Sequence, residues 1–173
     1  MINKLNNWKV LKRLDATDNK KHMGLLLITP NAREDSSECL YSLDYIEGYK
    51  SNNGKLLYQG LVMDFKTYYR RAVLLYIRET PNSEEVNVLT KTLRRLGCDW
   101  IIGDLNLNPK IQEQKKKIST ICGKTKFMAL KEITTVNDSQ LEHVIIEQEM
   151  EKNSFATSYF NLESDHKSVF FPS

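Results

Sequence analysis

No hydrophobic run in the chain approaches a membrane span. The longest, residues 25–28 and 72–77, fall far short of the ~20 apolar residues a bilayer-crossing helix needs. Internal repeats and low-complexity tracts are missing too, which excludes solenoid arrays and biased linkers. Cysteine is scarce and odd in number. Cys39, Cys98 and Cys122 have no metal-ligand spacing, so the expectation is reduced, mostly buried thiols. No basic-then-apolar leader opens the sequence, and the expected location is intracellular, the nucleus included. A large excess of either charge is lacking as well: a net +3 permits a polyanionic partner without demanding one.

What is present is ordinary globular composition, with 40% hydrophobic and 27% charged residues, so a packed core is expected. A chain of 173 residues is one domain or part of one, able to bury roughly two-thirds of its unfolded surface. Residues 1–22 are polar and read as an irregular lead-in. Residues 23–29 form a buried strand stopped by Pro30, and residues 40–49 are ambiguous. Residues 56–65 and 71–77 suggest an antiparallel pair.

The clearest helix spans residues 82–96. Asn82 and Glu85 have capping-box spacing, Val86, Leu89, Leu93 and Leu96 share one face, and Gly97 ends it. A short apolar strand, Trp100-Ile101-Ile102, follows and runs into Gly103-Asp104-Leu105-Asn106. Asn108 and Pro109 then read as N-cap and first residue of a second helix, reaching Cys122 and stopped by Gly123. Leu141-Glu142-His143-Val144-Ile145-Ile146 is a strand that opens on an acid and an imidazole. Residues 155–160 and 168–171 read as the last two strands, with Ser164-Asp165-His166 in the loop between them. Strands and helices in this order give an α/β fold with helices covering a sheet.

Two polar groups could also face a nucleic acid. Lys115, Lys116 and Lys117 offer phosphate neutralisation, but on a helix they fan over different faces, which favours a solvated surface over a phosphate site. Tyr68-Tyr69-Arg70-Arg71 mixes aromatics and cations as single-strand binding surfaces do.

Gly103-Asp104-Leu105-Asn106, then Leu141-Glu142-His143-Val144-Ile145-Ile146, then Ser164-Asp165-His166, each at a strand edge, resemble the endonuclease/exonuclease/phosphatase superfamily. Its members carry Gly-Asp-Phe-Asn, an Ile-Asp-(His/Tyr) segment and Ser-Asp-His in that order. Tyr76, followed by Pro81-Asn82, resembles that family's Tyr-x-Pro-Asn segment with three extra residues inserted. Within the superfamily the sequence looks closest to the apurinic-nuclease-like domains of mobile elements. The resemblance implies a partial four-layered α/β sandwich over residues 23–173, with mostly antiparallel mixed sheets flanked by helices. The first strands of that family, which end in an asparagine and the main metal-binding glutamate, find no match in residues 1–22.

By the same resemblance, Asp104 is the water-activating carboxylate and a metal ligand, and Asn106 orients water or phosphate through its amide. Tyr76 contacts phosphate, Asp165 lies at the metal, and His166 donates to a phosphoryl oxygen. Glu142 stands where the family has the aspartate that braces this histidine. The implied cofactor is Mg²⁺ or Mn²⁺, and the implied activity is metal-dependent phosphodiester hydrolysis of DNA. That activity is expected to be impaired by the missing strands unless a separate segment completes the fold. Two alternatives stay open. One is a catalytically inactive module binding nucleic acid or protein; the other is a phosphatase for nucleotide or phosphoinositide substrates. No membrane partner is expected, and the oligomeric state is left open.

Overall fold

The computed structural model describes residues 8–15, 24–30, 40–46, 57–65, 70–128 and 140–147. Strands β1 (Trp8–Asp15) and β2 (Gly24–Pro30) pair antiparallel as a two-stranded sheet that approaches the main sheet at β4 (Tyr58–Phe65). The strand at Trp8–Asp15 corrects the expectation of an irregular lead-in. Its pairing shifts between Val10 and Lys12, the mark of a β-bulge. The extra residue breaks the alternation of apolar and polar positions by which a strand is recognised in sequence.

The main sheet has six strands. Joining β4 are β3 (Leu40–Ile46), β5 (Arg70–Ile77), β6 (Trp100–Asp104), β7 (Lys126–Met128) and β8 (Glu142–Glu147), in the order β3-β4-β5-β6-β8-β7. Only the β5–β6 pair is parallel. The expected antiparallel hairpin of β4 and β5 is present, and the ambiguous segment resolves as β3. A mixed, mostly antiparallel sheet with helices against it is an α/β fold, as expected.

Helix α1 (Ser83–Leu96) crosses from β5 to β6, as a parallel pair requires. Both halves of its capping box form: the Glu85 amide donates to Asn82 Oδ1 at 3.0 Å, and the Asn82 amide donates to Glu85 Oε2 at 2.7 Å. Gly97 closes the helix in the left-handed conformation, with φ 63°. Helix α2 (Gln112–Cys122) starts later than expected. Asn108 Oδ1 accepts from the Lys110 amide and the Asn108 carbonyl from the Ile111 amide, so Asn108 caps a turn and not the helix.

The core lies between these helices and one face of the sheet. Val86, Leu89 and Leu93 from α1 and Ile118 and Ile121 from α2 meet Val73, Leu75, Ile77, Ile101 and Ile145. Burying each such side chain contributes roughly 1.5–3 kcal/mol. Cys98 is buried and Cys122 half-buried, both are free thiols, and burial pushes each up to about 11, as expected of reduced core cysteines.

The Arg70-Arg71 pair belongs to the scaffold. Arg71 clamps Asp64 through Nε at 2.6 Å and Nη2 at 3.0 Å, and Arg70 Nη1 lies 3.2 Å from Asp99. Their guanidinium groups are occupied at the strand ends, while Tyr68 and Tyr69 lie outside the described residues. Lys115 and Lys116 are exposed, and Lys117 pairs with Glu113 one turn away at 2.9 Å.

Candidate active site

Strand alternation decides which side chains share a surface. Val73, Leu75, Ile77 and Ile101 face the helices, so Tyr76 and Asp104 project from the opposite face. Cross-strand register then sets Gln59 opposite Tyr76, Tyr76 opposite Asp104, and Asp104 opposite Glu142. Four strands thus carry one lateral row, Gln59-Tyr76-Asp104-Glu142, at the carboxyl ends of β5 and β6. Directly opposed residues have Cβ atoms about 5 Å apart, so neighbours in the row interact.

The loop after β6 is held at several points. Gly103 has φ 135°, and a Cβ there would collide with the Leu75 carbonyl oxygen, so only glycine lets β6 lie this close to β5. Asp104 Oδ1 accepts from the Asn106 amide at 2.8 Å, closing an Asx turn. Asn106 takes the left-handed conformation, φ 51°, which asparagine tolerates better than most residues. Leu105 and Leu107 are wholly buried and draw the loop into the core. The Leu105 amide donates to Leu141 O at 3.0 Å, and Thr80 Oγ1 donates to Asn106 O at 3.1 Å.

The Asn106 side chain ties this loop to the end of β5. Its Nδ2 donates to the Ile77 carbonyl at 3.1 Å and the Arg78 carbonyl at 3.2 Å. Both amide hydrogens are therefore engaged with the backbone, and only Oδ1 can face a ligand. Behind the row, His143 is buried with Nε2 2.7 Å from the Leu107 carbonyl, which fixes that nitrogen as the protonated one. Its Nδ1 lies 3.3 Å from Met128 Sδ. Burial pulls the His143 pKa down, against the Leu107 hydrogen bond and the nearby Glu142 charge. Burial also raises the Tyr76 hydroxyl, Asp104 adds to the rise, and the Arg78 cation opposes it. The Tyr76 hydroxyl thus lies within electrostatic reach of both Asp104 and Arg78.

The same architecture recurs in solved structures. The endonuclease domain of TRAS1, a telomere-specific non-LTR retrotransposon, aligns with TM-score 0.56 and 11% identity over 96% of this chain and 78% of that one. A mannosyl-6-phosphatase of Bacteroides thetaiotaomicron gives 0.55 and 13%, over 96% and 76%. An endonuclease/exonuclease/phosphatase protein of Bacteroides vulgatus gives 0.56 and 9%, over 96% and 76%. This chain has the endonuclease/exonuclease/phosphatase fold. No family model and no curated protein matches the sequence itself.

On this fold, Tyr76, Asp104 and Glu142 stand side by side in one row, and Asn106 adjoins them at the turn. Asp165 and His166 lie outside the described residues. Among the described residues no group of three or more acidic, histidine or cysteine side chains forms. The hard oxygen donors at the site are the opposed carboxylates Asp104 and Glu142. Two carboxylates fit a Mg²⁺-type cation, which commonly takes one or two from protein and completes its shell with water and phosphate.

Two further residues belong to the site's wall and were not expected from the sequence. Gln59 is 1% exposed, and its Oε1 is buried without a hydrogen-bond partner among the described residues. Arg78, just past Tyr76, has Nη1 buried in the same condition. The available signal was slight: a glutamine near the start of the largely apolar strand β4, and one cation closing the apolar run of β5.

Proposed function

We propose that the chain is a metal-dependent phosphoester hydrolase whose substrate is a DNA phosphodiester. The observation that carries this reading is the row Tyr76-Asp104-Glu142, one phenol and two carboxylates brought together from three strands by register alone. Asp104 and Glu142 are the pair that would hold Mg²⁺ or Mn²⁺; bound there, the cation supplies charge neutralisation of the phosphoryl group.

The remaining work falls to the chain's own groups. Tyr76, kept protonated by burial and by Asp104, donates its hydroxyl to a phosphoryl oxygen. Asp104, with Oδ1 already fixed by the Asn106 amide, is oriented to accept a proton from the attacking water. Asn106 can orient that water through Oδ1, since its amide hydrogens are engaged with β5. Asp165 and His166 join as metal ligand and phosphate donor if their loop reaches the row. Glu142, one methylene longer than the family's aspartate, shifts its oxygens by about an ångström; such a shift can cost on the order of 10²-fold in rate.

A phosphatase reading has its own support, because a sugar-phosphate phosphatase and an endonuclease share this fold at equal similarity. One experiment separates the two. Intact, nicked and abasic DNA and a sugar phosphate are incubated with Mg²⁺ or Mn²⁺, using wild-type protein and Asp104→Ala. Cleavage of DNA by the wild type alone is the expected result. Release of inorganic phosphate without DNA cleavage supports the phosphatase. Salt-dependent DNA binding with no turnover by either protein supports an inactive binding module.

A further inference from the structure

Gln59 and Arg78 flank Tyr76 in the sheet. Gln59 sits directly opposite Tyr76, and the ladder continues one step past β5, with the Arg78 amide donating to Leu57 O at 2.9 Å. Alternation therefore carries Arg78 to the same face as Tyr76, diagonal to Gln59, where long side chains can reach a common point. The Arg78 cation acts on the Tyr76 hydroxyl, so the guanidinium lies within electrostatic reach of it. Yet Gln59 Oε1, an acceptor, and Arg78 Nη1, a donor, are both cut off from water and unbonded, each to the other and to anything else described. Native interiors satisfy nearly all such groups, and an exception calls for an explanation, a functional role or a bound ion or water among them.

We propose that Gln59 and Arg78 form a two-point seat for the substrate, in which Arg78 takes a phosphoryl oxygen and Gln59 accepts from a hydroxyl on the adjoining sugar. The seat rests on the phosphoester reading and narrows it to DNA with a free sugar hydroxyl near the phosphate, such as a nick or a terminal nucleotide. Arg78 suits the phosphoryl group because guanidinium N–H bonds to phosphate are charge-assisted and directional. Gln59 suits the hydroxyl because a carboxamide oxygen rejects the bare anion. A site built around a substrate hydroxyl discriminates strongly against analogues that lack it.

The test is calorimetric titration of wild type, Arg78→Gln and Gln59→Met with two probes, inorganic phosphate and ribose 5-phosphate. The expected result is that Arg78→Gln weakens both probes about ten-fold or more, the loss typical of one charge-assisted bond. Gln59→Met should leave phosphate within about two-fold, weaken ribose 5-phosphate about five-fold, and raise Tm by removing an unmet buried acceptor. Wild-type affinity in both variants, or loss at Arg78 alone, overturns the two-point seat. So does a lowered Tm in Gln59→Met, as expected for a glutamine held by an internal water. The outcome is separable from the parent reading. Protein that hydrolyses nothing but binds the probes in this pattern keeps the seat; hydrolysis untouched by either substitution removes it.

Discussion

Replacing Asn106 with alanine tests whether this residue is a structural clip as well as a site residue. The substitution removes two hydrogen bonds, from Nδ2 to the Ile77 and Arg78 carbonyls at 3.1 and 3.2 Å. Each neutral bond contributes about 1 kcal/mol net. The substitution also puts a plain Cβ residue at φ 51°, where the left-handed conformation costs about 1–2 kcal/mol. The bond from Asp104 Oδ1 to the Asn106 amide and the one from Thr80 to its carbonyl involve backbone atoms and survive. The sum is roughly 3 kcal/mol of lost stability. Asn106→Gly isolates the conformational part: it loses the same two bonds without the Cβ cost and should recover roughly 1 kcal/mol of the loss. Urea unfolding of the three proteins reads both numbers, with an unchanged m-value showing that the folded state keeps its extent. If both variants unfold within 0.5 kcal/mol of wild type, the loop is not clipped to β5 by this side chain and the reasoning fails.

Two other outcomes follow from the same geometry. Gly103→Ala should destabilise by about 2 kcal/mol or more, because the new methyl meets the Leu75 backbone and the φ of 135° is strained for any other residue; thermal unfolding checks it. His143 is held neutral by burial, so its pKa lies below the ordinary 6.5. Its stabilising effect is complete above pH 6.5, where folded and unfolded imidazole are both uncharged. It is lost as pH falls from there towards the folded-state value, with a slope of at most about 1.4 kcal/mol per pH unit. Urea midpoints measured from pH 7.5 to 5 on wild type and His143→Gln should converge at the acid end; parallel curves would contradict a buried neutral imidazole.

How much of this was legible in the sequence depended on how local the signal was. Helix α1 could be read from Asn82, Glu85 and Gly97, because a capping box and a left-handed cap are set by residues three or four apart. Its partner α2 begins three residues after the position that Asn108-Pro109 suggests, since that pair is equally good at starting a turn, and Gln114 Oε1 accepts from the Asn108 amide at 2.6 Å to hold the turn. Strand β1 was hidden by its bulge. The Gly-Asp-x-Asn turn announced Asp104 and Asn106, and register brought Glu142 and Tyr76 to them. No short motif could announce Gln59 or Arg78. Their place depends on how β4 pairs with a strand some twenty residues away, and nothing in either segment alone fixes that register.

Mn²⁺ titration followed by paramagnetic line broadening reads whether Tyr76, Asp104 and Glu142 make one cation-and-phosphate site. Backbone resonances of residues 76, 103–106 and 141–143 should broaden first and together, and Asp104→Asn and Glu142→Gln should each shift that broadening to higher Mn²⁺ concentration. Broadening that begins elsewhere, such as around Glu113 or Glu147, and ignores both substitutions would contradict it.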